Sequence, residues 1–158
     1  MLAINIGMIA MLFWIFYEDV KDKKVTLLLL VSLFVTGGFL NSQYQIIELF
    51  LISSLINFGV ILMVIILLFI YTKIKLKTEL FKVFGVGDLL FFAFMAISFP
   101  TTTFLVLFST SLIFSLLLSL IFQKKLQKLI PLAGFQALFL GLIIGANQLL
   151  NIVNLYAY

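Results

Sequence analysis

The chain of 158 residues has no cysteine, no histidine and no arginine. Without cysteine there is neither a disulfide framework nor a thiolate metal site. Without histidine the commonest general base and the commonest zinc ligand are missing. Acid–base chemistry near neutral pH therefore falls mainly on carboxylates, and there are six: Glu18, Asp19, Asp22, Glu48, Glu79 and Asp88. Charge is scarce, at 10% of residues, while 65% are hydrophobic. A soluble domain of this size cannot hide so much apolar surface, which makes lipid the solvent and the bilayer a partner.

The ten basic residues are all lysines, in three clusters: Lys21, Lys23 and Lys24; Lys73, Lys75, Lys77 and Lys82; Lys124, Lys125 and Lys128. Oily segments separate them. This is the pattern of cytoplasmic loops on a membrane protein, and it argues against a nucleic-acid partner despite the net charge of +4. The lysines also suit contact with anionic headgroups. Residues 1–17 carry no charge and have no basic stretch before them, so they are expected to be a retained first helix rather than a cleaved signal, with the N-terminus outside.

A crossing needs about 20 apolar residues. Spans are expected at 2–18, 25–40, 46–70, 86–99, 103–122 and 130–150, with "NSQYQ" (41–45) as the turn after the second. Residues 89–123 hold no charge, but as one rod they would measure about 50 Å, too long for a single crossing. The proline of "FPTTT" (99–103) divides them. Pro131 suits the first turn of the last helix. The expectation is an all-α fold: one polytopic membrane domain, 1–158, of about six transmembrane helices, with the lysines in loops one, three and five and both termini outside. The tail, 151–158, is expected along the outer interface.

In this topology Asp19 ends the first helix and Asp88 begins the fourth, so both lie at one membrane face although 69 positions apart. Glu48 falls at the opposite face, and Asp22 and Glu79 sit among lysines in loops. Two carboxylates at one depth can share a proton and activate a water. Helix ends alone favour the anion at Asp88 and disfavour it at Asp19. Gly85 and Gly87 allow close backbone approach and non-helical torsions just before the helix. Taken singly, each aspartate has a bland role: Asp88 as a helix cap, Asp19 as an interfacial partner of a lysine. Gly37–Gly38 and Gly141/Gly145 are expected as helix-packing contacts. Asn57, Gln136 and Asn147 are expected as interhelical hydrogen-bond partners, and Trp14 and Tyr17 as an interfacial belt.

"GVGD" (85–88) resembles the GxGD motif of membrane aspartyl proteases. "DVKDKKV" (19–25) resembles the first motif of the prepilin peptidase family, and "IPLAGFQALFLG" (130–141) its last-helix element. The order and spacing of the three fit over nearly the whole chain. The resemblance implies a six-helix aspartic endopeptidase that cuts the leader from prepilin-like proteins at the cytoplasmic border of the plasma membrane. Asp19 and Asp88 would be its catalytic pair, Gly85 and Gly87 would support the motif, and no cofactor or metal would be used. Thr26–Leu27 stands where the family often has Pro-Asn, and Leu90 where a lysine is frequent. The cysteine-bearing zinc insert of larger members is absent, so the chain resembles the short, peptidase-only forms, and methyltransferase activity is not expected. Two other readings remain: a small carboxylate-dependent transporter, against which stand the lack of an inverted repeat and the border position of both acids, and an inactive scaffold of the same family.

Overall fold

The computed structural model describes residues 2–76, 85–122, 131–150 and 154–156. Much of the second and third lysine clusters lies outside the described residues: Lys77 and Lys82, with Glu79 between them, and Lys124, Lys125 and Lys128. Among the described residues there are six α-helices and no strand: α1 (Leu2–Asp22), α2 (Leu27–Tyr44), α3 (Ile47–Tyr71), α4 (Val86–Ser98), α5 (Thr101–Ile121) and α6 (Leu132–Leu150). A π-helical turn, Thr72–Leu76, extends α3. All but α4 are long and apolar enough to cross a membrane. The chain is a multi-pass membrane protein with an all-α fold.

α1 and α6 form an antiparallel pair in one register. Asp19 meets Gly134, Leu12 meets Gly141, and Asn5 meets Gln148 through an amide–amide hydrogen bond of 3.0 Å. Both helices advance seven residues between these contacts, the repeat of helices wound along a shared seam. On α1 the buried residues are Met8, Leu12, Ile15 and Asp19. Asp19 thus occupies the next position of the apolar stripe rather than the end of the helix. The helix runs on to Asp22 and stops at Lys23, whose N–H caps the Asp19 carbonyl at 3.2 Å.

α4 is the central helix. Phe91, Phe92, Phe94, Met95 and Ala96 are fully or almost fully buried, and α4 packs on α2, α3 and α5. Its 13 residues span about 20 Å, less than the hydrocarbon core, so its C-terminal carbonyls end inside the bundle. Unpaired carbonyls there would be costly. Two side-chain amides satisfy them. Asn57 Nδ2 on α3 donates to Ala96 O at 2.9 Å and Phe99 O at 3.0 Å, and Asn41 Nδ2 on α2 donates to Ile97 O at 2.9 Å. Asn41 Oδ1 in turn accepts from Gln45 Nε2 at 2.6 Å. This is why "NSQYQ" is not the turn its polarity predicts. Residues 41–44 stay helical to place these amides, and the chain turns at Gln45–Ile46. Asn57→Leu should lower the stability of the detergent-solubilised protein by about 1–3 kcal/mol, measured by thermal unfolding, because buried carbonyls lose their donors.

The break at Phe99–Pro100 is as expected, but α5 restarts at once, with Phe104 N–H bonded to Pro100 O at 2.8 Å. α2 lies close on α4 at Gly37 and Gly38. A Cβ on Gly37 would collide with Ser98 Oγ, and one on Gly38 would come within 3.2 Å of Ile97. At Gly141 a Cβ would make ordinary contact with Phe13, whereas Gly145 has nothing within 4 Å and is not a packing contact among the described residues. Tyr156 of the tail stacks on Tyr44, with ring centroids 4.6 Å apart, at the bundle end opposite Asp19.

Candidate active site

The C-terminus of α1 and the N-termini of α4 and α6 meet at one end of the bundle. The meeting is defined by two hydrogen bonds from consecutive backbone groups in the first turn of α6. Ala133 N–H donates to Asp88 Oδ1 at 2.7 Å, and Gly134 N–H donates to Asp19 Oδ2 at 2.6 Å. The first N–H groups of a helix have no intrahelical acceptor. Pro131, just ahead of α6, supplies the carbonyl for the first helical bond, from Phe135 N–H at 3.1 Å. The freed donors of α6 are thus spent on the two aspartates, which are thereby brought side by side. Both carboxylates face the positive end of α6. The asymmetry expected from α1 and α4 alone is correspondingly blunted.

Asp19 is buried, with 8% of its surface exposed. Gly134 is required for its placement. A Cβ there would stand 2.9 Å from Asp19 Cβ and 3.0 Å from Oδ2, closer than side-chain carbons approach in folded proteins. Asp88 is partly buried and sits three residues into α4 from Gly85, the extended residue that precedes the helix. Its Oδ2 accepts the Gly85 N–H at 3.2 Å, which is half of a capping box. The capping role and the contact with α6 therefore coexist, one on each oxygen. Gly85 has φ −74° and ψ 146°, open to any residue; what a side chain would disturb is the Asp88 carboxylate, 3.2 Å from a Cβ. Gly87, in the first turn of α4, faces Val25.

These groups line a cleft of about 400 Å³ that is open to the outside. Its wall is Asp19, Asp88, the small residues Gly85, Gly87 and Ala133, the apolar Val25, Val86 and Pro131, and the cations Lys23 and Lys24. The small residues leave open space next to the carboxylates. Chemically, the pair can act as base and acid on a water and an amide. Among the described residues no three Asp or Glu side chains gather as a metal-ligand set.

The first loop is fastened from outside by Glu18. Its carboxylate accepts the Thr26 N–H at 2.9 Å, the Thr26 hydroxyl at 3.0 Å and the Trp14 indole N–H at 3.0 Å. Sequence reasoning gave Glu18 no task; the signal was a carboxylate eight residues ahead of an α2 N-cap whose own side chain makes no capping bond. Trp14 and Tyr17 are exposed beside it, as an interfacial pair would be. Asp22 belongs to the last turn of α1 rather than to a loop, and is exposed. Glu48 lies in the first turn of α3, at the other end of the bundle. Asn57 is the interhelical partner it was expected to be. Gln136 is fully buried, but neither its nitrogen nor its oxygen finds a hydrogen-bond partner among the described residues, contrary to expectation. Also missed were the backbone donors of Ala133 and Gly134, although the element that carries them, "IPLAGFQALFLG" (130–141), stood out as a motif.

No protein-family model, curated protein or solved structure matches the chain.

Proposed function

We propose that the protein is an intramembrane aspartic endopeptidase of the prepilin peptidase type, acting on the leader of prepilin-like proteins at the cytoplasmic border of the plasma membrane. The observation that carries this reading is the pair of bonds from Ala133 and Gly134 that hold Asp88 and Asp19 together in one open cleft. A transporter's proton-relay acids and substrate site are expected near the bilayer midplane, whereas both aspartates here sit at one end of the bundle.

In the reaction, the ionised member of the pair takes a proton from water as the water oxygen attacks the scissile carbonyl carbon. The protonated member gives its proton to the carbonyl oxygen. The tetrahedral intermediate, a gem-diol, then collapses: one aspartate gives its proton to the amine nitrogen as the C–N bond breaks, the other takes a proton back from a gem-diol hydroxyl, and the new carboxyl group departs with the leader. The proton count of the pair is restored with each turnover. α6 contributes fixed dipoles that hold both carboxylates in place before substrate arrives, so little reorganisation remains for the chemical step.

The test is incubation of the purified protein with prepilin-like substrates in detergent, with the new N-terminus identified by mass spectrometry. Cleavage next to the substrate's oily helix is expected, and it should persist in EDTA. A dication bound between the carboxylates would drive both into the charged form and remove the acid, and a chain without histidine or cysteine cannot build the usual zinc site. Loss of cleavage in EDTA, restored by added metal, would replace this reading with metal-assisted hydrolysis.

The lysine-bearing end of the bundle is assigned to the cytoplasm and both termini to the outside. Cysteines at Lys24 and Thr102, both exposed and near opposite ends of the bundle, should be labelled by an impermeant thiol reagent from opposite sides, Lys24 from the cytoplasm only. Labelling of both from one side would overturn this orientation.

A further inference from the structure

We propose that Lys23 is a positioning residue of this site: its ammonium group is the cation that lets the aspartate pair carry one negative charge at neutral pH. The inference rests on the aspartic endopeptidase reading and adds a third side chain to it.

Three observations converge on Lys23. Its φ of 54° makes it the one residue, among those described, with a left-handed backbone. That conformation ends α1, where glycine or asparagine is the usual occupant because a Cβ is disfavoured there. A lysine is therefore held where glycine would relax the backbone, and strain of this kind gathers at functional sites. Secondly, Lys23 lines the cleft that holds both carboxylates. Thirdly, it follows Asp19 by one helical turn, with its N–H bonded to the Asp19 carbonyl at 3.2 Å. The left-handed turn redirects the chain so that Lys23, Lys24 and Val25 face the cleft instead of continuing the axis of α1.

Among the described residues, the neighbouring charges leave this role to the cleft lysines. α1 supplies Asp19, and α4 supplies Asp88. Glu18 is engaged by Trp14 and Thr26, away from the pair. Asp22 is exposed at the end of α1 and does not line the cleft. α6 offers backbone N–H groups and no charged side chain, and Val25 and Thr26 at the head of α2 are neutral. Lys24 also lines the cleft and is the natural control. Two carboxylates in a partly dry site resist ionisation, and an adjacent cation counters that resistance.

The test compares Lys23→Met, Lys23→Arg, Lys23→Gly and Lys24→Met in stability and in the pH dependence of kcat/KM for a prepilin-like substrate. Lys23→Met should move the acid limb of the profile up by about one pH unit, lowering kcat/KM about tenfold on that limb and about two- to threefold at neutral pH, because loss of the cation makes the first ionisation harder. Lys23→Arg should keep wild-type behaviour. Lys23→Gly should repeat the loss of activity while raising the melting temperature by about 2–4 °C, since glycine accepts the left-handed backbone. A lysine with only a structural role would leave the acid limb of the profile in place. An unchanged pH profile in Lys23→Met, an equal shift in Lys24→Met, or a lower melting temperature in Lys23→Gly would each overturn the inference while leaving the aspartate site intact. If the wild-type protein cleaves nothing, or Asp88→Asn cleaves normally, the endopeptidase reading fails and Lys23 loses its role with it.

Discussion

Asparagine in place of either Asp19 or Asp88 should lower the rate of leader cleavage by about 10³-fold or more, with the protein still folded and inserted. Asparagine keeps the shape and an acceptor oxygen, so the bonds from Gly134 and Ala133 can survive and α6 stays docked. What is lost is the exchangeable proton. An amide can neither take it from water nor give it to a carbonyl oxygen at neutral pH. Asp22→Asn is the matched control. Asp22 is exposed on the last turn of α1, and its loss should leave most activity in place. Cleavage by Asp88→Asn at near the wild-type rate would remove the aspartic mechanism from consideration.

The second large effect is at Gly134. An added methyl group would lie 2.9 Å from Asp19 Cβ, on a seam where α1 and α6 already touch along their length. Neither helix can yield locally, so Gly134→Ala should shift Asp19 relative to Asp88 by some tenths of an ångström and loosen its bond to α6. Misplacement approaching 1 Å costs about 10²-fold in a positioned reaction, and a loss of about that size is expected in kcat with smaller change in KM. Gly134→Val should do more. Gly145→Ala, on the same helix with open space around it, should keep full activity and gain up to about 1 kcal/mol of stability from helix propensity. Equal activity in the two alanine variants would show that the close approach of α6 to Asp19 has no part in catalysis.

The helical segments, the break at Pro100 and the shared end of Asp19 and Asp88 were legible in the sequence because each follows from hydropathy, proline chemistry or charge placement. The positions of the ends were not. Helix α1 continues past Asp19 because that residue has an acceptor role against Gly134, more than a hundred positions away, and no local pattern announces such a partner. "NSQYQ" reads as a turn by composition but is held helical through Tyr44 while Asn41 caps a carbonyl of α4. The fourth span is the shortest for the same reason: its last carbonyls are served by Asn41 and Asn57, so it can end inside the bundle.

At the site, the side chains were legible and the backbone was not. Carboxylates bracketing oily spans stand out in a chain with six acids. A backbone N–H carries no sequence signature, and the donors of Ala133 and Gly134 are what join the pair. The left-handed turn at Lys23 was equally hidden, since lysine is not a residue whose presence predicts that conformation.

The most direct test of the central claim, that Asp19 and Asp88 work as one unit, is the cleavage rate of the double variant Asp19→Asn/Asp88→Asn measured by mass spectrometry beside the two single variants on one prepilin-like substrate. Groups that share a single proton inventory lose their function together, so the double variant should be no slower than either single variant. Measurable activity in both single variants, with losses that multiply in the double variant, would mean that the two carboxylates act independently and would contradict the account.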